Sequence, residues 1–218
     1  MPRQFVPPKS MQYTPEAVDP YVKAKTHYAQ ADELEQPHLV YLERWRGFEI
    51  LYREVAPKAS KHDAFVFARD AGELDFAAAC LAQLSRPRVD AILRSTDIGE
   101  LNVLLSRKNM AALVGQNQLL EELGVDMQVW LSARKDLRFA LKANTVKGLR
   151  AIATMLLIVR AACDPKVKKT GNLVKDEAVL APANRLLKDC LQQLVEHFQK
   201  EHDAFFKPDF RMPQGRKV

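Results

Sequence analysis

The sequence predicts a mainly α-helical fold, on three observations. Only eight of the 218 residues are glycine, whereas Ala, Leu, Lys, Arg and Glu are abundant, a composition typical of helical proteins. Apolar residues recur every three or four positions over most of the chain, which is the spacing of one face of a helix. One stretch departs from this pattern. Apolar and polar residues alternate from Val125 to Ser132, and this alternation predicts a single β-strand.

Composition also narrows the class of protein. With 47% hydrophobic residues, the chain can fill a substantial core. The three cysteines, Cys80, Cys163 and Cys190, are far apart, so neither a disulfide framework nor a cysteine zinc site is expected. We therefore expect a reduced, cytoplasmic protein. The most apolar run, Ala151 to Val159, is too short for a membrane helix, which needs roughly 20 residues, and no membrane span is expected.

We predict five segments along the chain. They are a proline-rich flexible arm (1–20), a helical scaffold (21–124), a strand followed by two helices (125–163), a basic loop with a C-terminal helix (164–206) and a flexible basic tail (207–218). A second strand is possible at residues 64–68, where a short apolar and aromatic run occurs. No repeat with a period of roughly 20–50 residues recurs, so a solenoid is not expected.

Local signals place the helices. Pro37 suits the first turn of a helix, where its missing N–H is not needed, and Ser85 is a suitable N-cap. Trp45 and Phe48 lie on an apolar stripe and are predicted core residues. The predicted helices are about 21–36, 37–56 and 72–84, one after Ser85, one from Thr96 or Asp97, and then 132–144, 145–163 and 181–206.

Positive charge is concentrated in one part of the chain. Between Val125 and Lys175 there are eleven Lys and Arg residues but only three acidic residues, a net charge of +8. The whole chain carries +6, so the remainder carries −2. A concentrated basic region is typical of a nucleic-acid-binding surface, and a solvated basic helix face has the same composition.

Motifs of catalysis are absent from the sequence. It has no GxxxxGK[ST] loop, no GxGxxG after a strand, no GxSxG elbow and no HExxH motif. His197 and Glu201 are one helical turn apart, but no third ligand accompanies them, which favours a solvated charged face over a metal site. Asp70, Glu73 and Asp75 precede or begin a helix, where the helix dipole favours carboxylates. We therefore expect no enzyme activity, no metal and no cofactor.

Three consecutive pieces of the basic region follow the order strand, helix, longer helix. The pieces are MQVWLS, ARKDLRFALKAN and TVKGLRAIATMLLIVRAA, within Val125 to Ala162. In this order they resemble the ribbon-helix-helix family of DNA-binding regulators. The resemblance implies that two chains form an antiparallel β-ribbon, with Met127, Val129 and Leu131 facing a shared core. The protein is then expected to be a homodimer.

The resemblance also implies a function, which is sequence-specific regulation of transcription with the ribbon in the major groove of duplex DNA. Gln can form paired contacts to adenine, and Arg or Lys to guanine. The expected base-reading residues are Gln128, Trp130, Ser132 and Arg134. The start of the second helix offers free backbone N–H groups to a phosphate. The expected phosphate-binding residues are Lys135, Asn144, Thr145, Lys147, Lys168 and Lys169.

The sequence leaves three alternatives open. The strand can pair with its copy in a second chain or with residues 64–68 of its own chain. Trp130 can stack on DNA or pack against a neighbouring helix as a buried aromatic residue. The function can also be that of an all-helical adaptor or assembly protein, in which case the alternation after Val125 is one end of a buried helix. RNA binding is less favoured, because the aromatic-rich sheet of an RNA-recognition motif is absent.

Overall fold

The fold is mainly α-helical, as predicted. The computed structural model describes residues 19–59, 72–105, 125, 127–140, 145–163 and 177–206. The helices in chain order are α1 (Pro20–Ala31), α2 (Pro37–Ile50), α3 (Ala56–Ala59), α4 (Glu73–Ala82), α5 (Arg86–Leu93), α6 (Thr96–Leu104), α7 (Met127–Ala140), α8 (Thr145–Cys163) and α9 (Glu177–Phe206). A π-helical turn, Leu51–Val55, joins α2 to α3. None of the described residues is in a β-strand.

Several helix boundaries follow the predicted signals. Pro37 is the first residue of α2, and α8 begins and ends where the sequence predicts. The hydroxyl of Ser95 accepts a hydrogen bond from the backbone N–H of Asp97 and caps α6. Ser85 is the N-cap residue of α5, as predicted, but its side chain forms no capping hydrogen bond.

The predicted β-strand is wrong. From Met127 onward the segment is part of helix α7. This helix continues without a break into the predicted first helix and is described as far as Ala140. The resemblance to the ribbon-helix-helix family is therefore wrong too, because that fold needs a β-ribbon and the described residues contain none. The possible second strand, at 64–68, lies outside the described residues.

The burial pattern of α7 explains why the alternation was misleading. Trp130 and Ala133 are buried, whereas Gln128, Ser132 and Lys135 are exposed. The buried residues are three positions apart and the exposed ones four and three, which is the spacing of a helix. The first part of the segment also alternates between apolar and polar residues, which is why it fits the pattern of a strand as well. A helix satisfies its backbone donors and acceptors within one segment, so the segment needs no partner strand.

Helix α8 lies at the centre of the molecule. Every residue from Ala151 to Val159 is buried. The helix contacts α2, α4, α5, α7 and α9, which surround it. A helical stretch that is apolar on all sides, as this part of α8 is, is stable in water only when it is enclosed in this way. Within the described ranges, no helix combines the length and the hydropathy that crossing a membrane requires.

Helix α2 supplies the aromatic part of the core. Trp45 and Phe48, both predicted core residues, are buried, and their rings meet edge to face with centroids 5.4 Å apart. The ring of Tyr52, in the π-helical turn, lies 5.2 Å from that of Phe48. The buried hydroxyl of Tyr41 donates a 2.6 Å hydrogen bond to the carbonyl oxygen of Leu156. This bond ties α2 to the central helix α8.

A buried arginine of α2 links the end of α1 to α9. Arg44 in α2 is 7% exposed, and its guanidinium donates to Asp32 Oδ1 at 2.7 Å and to the carbonyl oxygen of Asn184 at 3.1 Å. Lys188 Nζ also donates to Asp32, at 3.0 Å. Asp32 follows α1, and Asn184 and Lys188 belong to α9. Helix α9 therefore packs on α1 and α2, which are far from it in sequence.

Candidate nucleic-acid interface

Three of the predicted contact residues lie on one face of α7. Gln128, Ser132 and Lys135 are all exposed and are separated by four and three positions. At roughly 100° per residue, these intervals place the three side chains within about 60° of one another around the helix axis. We call this surface the α7 face. It presents an amide, a hydroxyl and an ammonium group side by side to solvent.

Trp130 lies on the opposite side of α7 from this face. Its side chain is fully buried, and the guanidinium carbon of Arg134 is 5.8 Å from the centre of its ring. This placement corresponds to the alternative in which Trp130 packs against neighbouring helices. A ring enclosed by protein on all sides cannot stack on a base, so Trp130 is not part of the α7 face.

Arg134 is bound to a neighbouring helix. Its Nε donates to Asn102 Oδ1 at 2.9 Å, and its Nη2 donates to the backbone carbonyl oxygen of Asn102 at 3.2 Å. Asn102 belongs to the last turn of α6. Two of the four expected base-reading residues, Trp130 and Arg134, are therefore engaged in packing. Sequence reasoning missed Asn102, because nothing local marks a partner 32 positions away.

The start of α8 adds further positive charge beside α7. The two helices pack against each other, and only four residues separate them in sequence. Lys147 is exposed near the start of α8, and so is Val146, which is 67% exposed. Arg150 is exposed as well and pairs with Asp75 of α4. The expected contact Thr145 is the first residue of α8, whereas Asn144, Lys168 and Lys169 lie outside the described residues.

A separate cleft of about 250 Å³ lies beside the π-helical turn. It is lined by His27, Arg46, Glu49, Ile50, Arg53 and Glu54. A π-helical turn often marks a functional site, so the cleft is a second candidate. Its two guanidinium groups, however, are paired with carboxylates: Arg46 with Glu43, and Arg53 with Glu49 and Glu73. The charges that line the cleft are thus largely compensated within the protein.

The described part of the chain contains no metal-ligand cluster, and its cysteines are buried. No group of three or more His, Cys, Asp or Glu side chains there could hold a metal ion. The three cysteines are free and buried. Burial raises the pKa of Cys163 to about 12 and raises the pKa of Cys80 and Cys190 well above the ordinary thiol value. Such thiols stay protonated near neutral pH and are weak nucleophiles.

Neither a scan against protein-family models nor searches of curated proteins and of solved structures find a match.

Proposed function

We propose that this chain binds duplex DNA through the α7 face. The observation that carries the proposal is that Gln128, Ser132 and Lys135, three residues expected to contact DNA, share one exposed helix face. That face belongs to the segment from Val125 to Lys175, which carries a net charge of +8 in a chain of +6. The chain is proposed to act by binding and not by catalysis.

A helix, like a β-ribbon, can lie in the major groove of DNA and contact its bases. The major groove is about 12 Å wide, and a helix with its side chains is about 10–12 Å across. The amide of Gln128 can donate to and accept from adenine, the hydroxyl of Ser132 can bond to several bases, and the ammonium of Lys135 can reach a phosphate. The exposed Lys147 adds a second cation at the start of α8. We therefore propose that helix α7, and not a β-ribbon, contacts the DNA.

The charge of the segment is expected to dominate the affinity. Lysine and arginine side chains displace the counterions condensed on DNA, and this gain does not depend on base sequence. Only Gln128 and Ser132 remain as candidate base readers on the described part of α7. We therefore propose strong salt dependence together with modest sequence preference. The expected homodimer and a role in transcription stay predictions.

An all-helical adaptor is the second candidate function. The engagement of Trp130 and Arg134 in packing favours it, because these side chains serve the fold and not a DNA surface. In that case the α7 face contacts a partner protein. A DNA-binding experiment separates the two functions.

The experiment is a titration of labelled random duplex DNA by fluorescence anisotropy between about 50 and 200 mM salt. The logarithm of the binding constant should fall linearly with the logarithm of salt concentration, with a slope of about −0.9 per phosphate neutralised. No binding at the lowest salt concentration, or an affinity that does not change with salt, refutes DNA binding and leaves the adaptor.

A single substitution then tests base reading. If a selected duplex binds more tightly than random DNA, Gln128→Ala should remove roughly 1–3 kcal/mol of that preference and leave the affinity for random DNA nearly unchanged. Equal losses on both duplexes would mean that Gln128 reads no base.

A further inference from the structure

We infer that Arg134 is a positioning residue, which holds α7 in the rotation that presents the α7 face to DNA without touching DNA itself. The inference rests on the proposed function. It reassigns a residue that the sequence predicted as a base reader.

The contact of Arg134 with α6 is a helix-end contact. The last four carbonyl groups of a helix have no partner within the helix, and a cation near them is also favoured by the helix dipole. Asn102 provides one of these carbonyls, and Arg134 Nη2 donates to it at 3.2 Å. Arg134 Nε bonds the Asn102 side chain at 2.9 Å at the same time. Two bonds from one planar group to one residue fix its direction as well as its distance.

The guanidinium of Arg134 also lies near Trp130. Trp130 is one turn before Arg134 in α7, and its buried ring is 5.8 Å from the guanidinium carbon. The exposed Lys135 follows Arg134 directly, so the two side chains diverge by roughly 100°. Arg134 thus contacts both a buried ring of its own helix and the last turn of α6.

This arrangement fixes the rotation of α7 about its axis. Trp130 lies roughly 200° from Gln128 around the helix, so burial of the ring directs Gln128 outward. A rotation of α7 by one residue, about 100°, would separate Arg134 from Asn102 and turn the α7 face away from its present direction. The bond between α6 and α7 is therefore expected to control DNA affinity from a distance.

The test uses Arg134→Met and Asn102→Ala, measured with random duplex DNA across the same salt series. Each should weaken binding by roughly 3- to 30-fold while leaving the salt slope unchanged, because no phosphate contact is lost. The double variant should bind no more weakly than Arg134→Met alone, because Asn102→Ala removes only the side-chain bond to Nε, which Arg134→Met also removes. Arg88→Met is the matched control. Arg88 also donates to a backbone carbonyl of another helix, that of Gln193 in α9 at 2.9 Å, and its loss should leave DNA affinity unchanged.

Arg134→Lys guards against a variant that fails to fold. It keeps the charge and the alkyl chain, and the helical circular dichroism signal verifies its fold. Because Lys cannot form the two-pronged contact, we expect reduced affinity at an unchanged slope. In Arg134→Met, a salt slope shallower by about 0.9 would show that Arg134 contacts phosphate and would overturn the inference while leaving DNA binding intact. Unchanged affinity in Arg134→Met and Asn102→Ala would overturn it as well. A wild-type protein that does not bind overturns the proposed function and this inference together.

Discussion

Gly47 of α2 lies so close to α1 that a β-carbon added to it would be 3.0 Å from the carbonyl oxygen of Ala24. The same carbon would be 3.4 Å from Cβ of His27. Beside this crossing, His27 Nδ1 is 2.6 Å from Oε1 of Glu43, so a hydrogen bond joins the same two helices. Glycine permits this close approach because it has no side chain.

Gly47→Ala should destabilise the protein, by about 1–2 kcal/mol. Alanine forms helix better than glycine by about 1 kcal/mol, but overpacking typically costs about 1–3 kcal/mol, and the obstructing atom here is helix backbone that cannot turn aside. Gly99→Ala in α6 is the matched control, because a β-carbon there would have no neighbour within 4 Å. The free energy of unfolding of that variant should rise by up to about 1 kcal/mol. Urea unfolding measures both, and a stabilised Gly47→Ala protein would contradict the close crossing.

Stability should fall in acid, in part because of Asp32 and Glu43. Hydrogen bonds from Arg44 and Lys188 lower the pKa of Asp32. Burial raises the pKa of Glu43, but hydrogen bonds and charge from His27 and Arg46 outweigh burial, and the net pKa is lowered. A carboxyl group with a lowered folded pKa stabilises the protein above its unfolded pKa, and this contribution is lost as pH falls through the folded pKa. Urea unfolding across the acid range should show this loss, and Asp32→Asn should make it less steep.

Asp189 should behave in the opposite sense. Asp189 is an exposed residue, but partial desolvation of its carboxyl group and the nearby charge of Asp97 raise its pKa. A carboxylate with a raised folded pKa opposes folding once the pH exceeds the unfolded pKa. Asp189→Asn should therefore raise the free energy of unfolding at neutral pH and leave it unchanged in strong acid. The same dependence on pH for Asp32→Asn and Asp189→Asn would show that the assigned electrostatic surroundings are wrong.

The helices could be predicted from sequence where local signals agree. Thr145–Cys163 is long, strongly apolar and bounded by polar residues, and the structure has a helix of the same limits. The segment before it misled the prediction. The alternating residues Val125 to Ser132 fit a half-buried strand and also a helix in which Trp130 is buried and Gln128 exposed, and only tertiary packing decides between them.

The candidate site was predictable only in part. The exposure of polar residues such as Gln128 and Lys135 could be predicted, because glutamine and lysine side chains are mostly exposed in folded proteins. The role of Arg134 could not be predicted, since its partner Asn102 is brought near by folding and not by sequence. For the same reason the sequence left Trp130 with two interpretations.

Trp130 should matter for stability far more than its neighbour Ser132. Trp130→Ala removes a fully buried indole ring and should cost about 3–5 kcal/mol. Ser132→Ala, on the exposed α7 face, should change stability by less than about 0.5 kcal/mol. Thermal and urea unfolding test the pair. Equal stability of Trp130→Ala and wild type, combined with lost DNA binding, would instead place the ring on the DNA.

Lys135→Glu should weaken DNA binding strongly. Lys135 is exposed on the α7 face, so the substitution loses one phosphate contact and introduces a charge that phosphate repels. At contact distance in water each unit charge contributes about 1 kcal/mol, which predicts a loss of roughly tenfold or more. The salt slope should become shallower by about 0.9. Lys25→Glu makes the same change of charge on an exposed position of α1. Helix α1 packs on α2 and α9, whereas α7 packs on α8. The effect of Lys25→Glu should therefore be small, because screening at 0.1 M salt acts over about 10 Å, and equal losses in the two variants would place the DNA elsewhere.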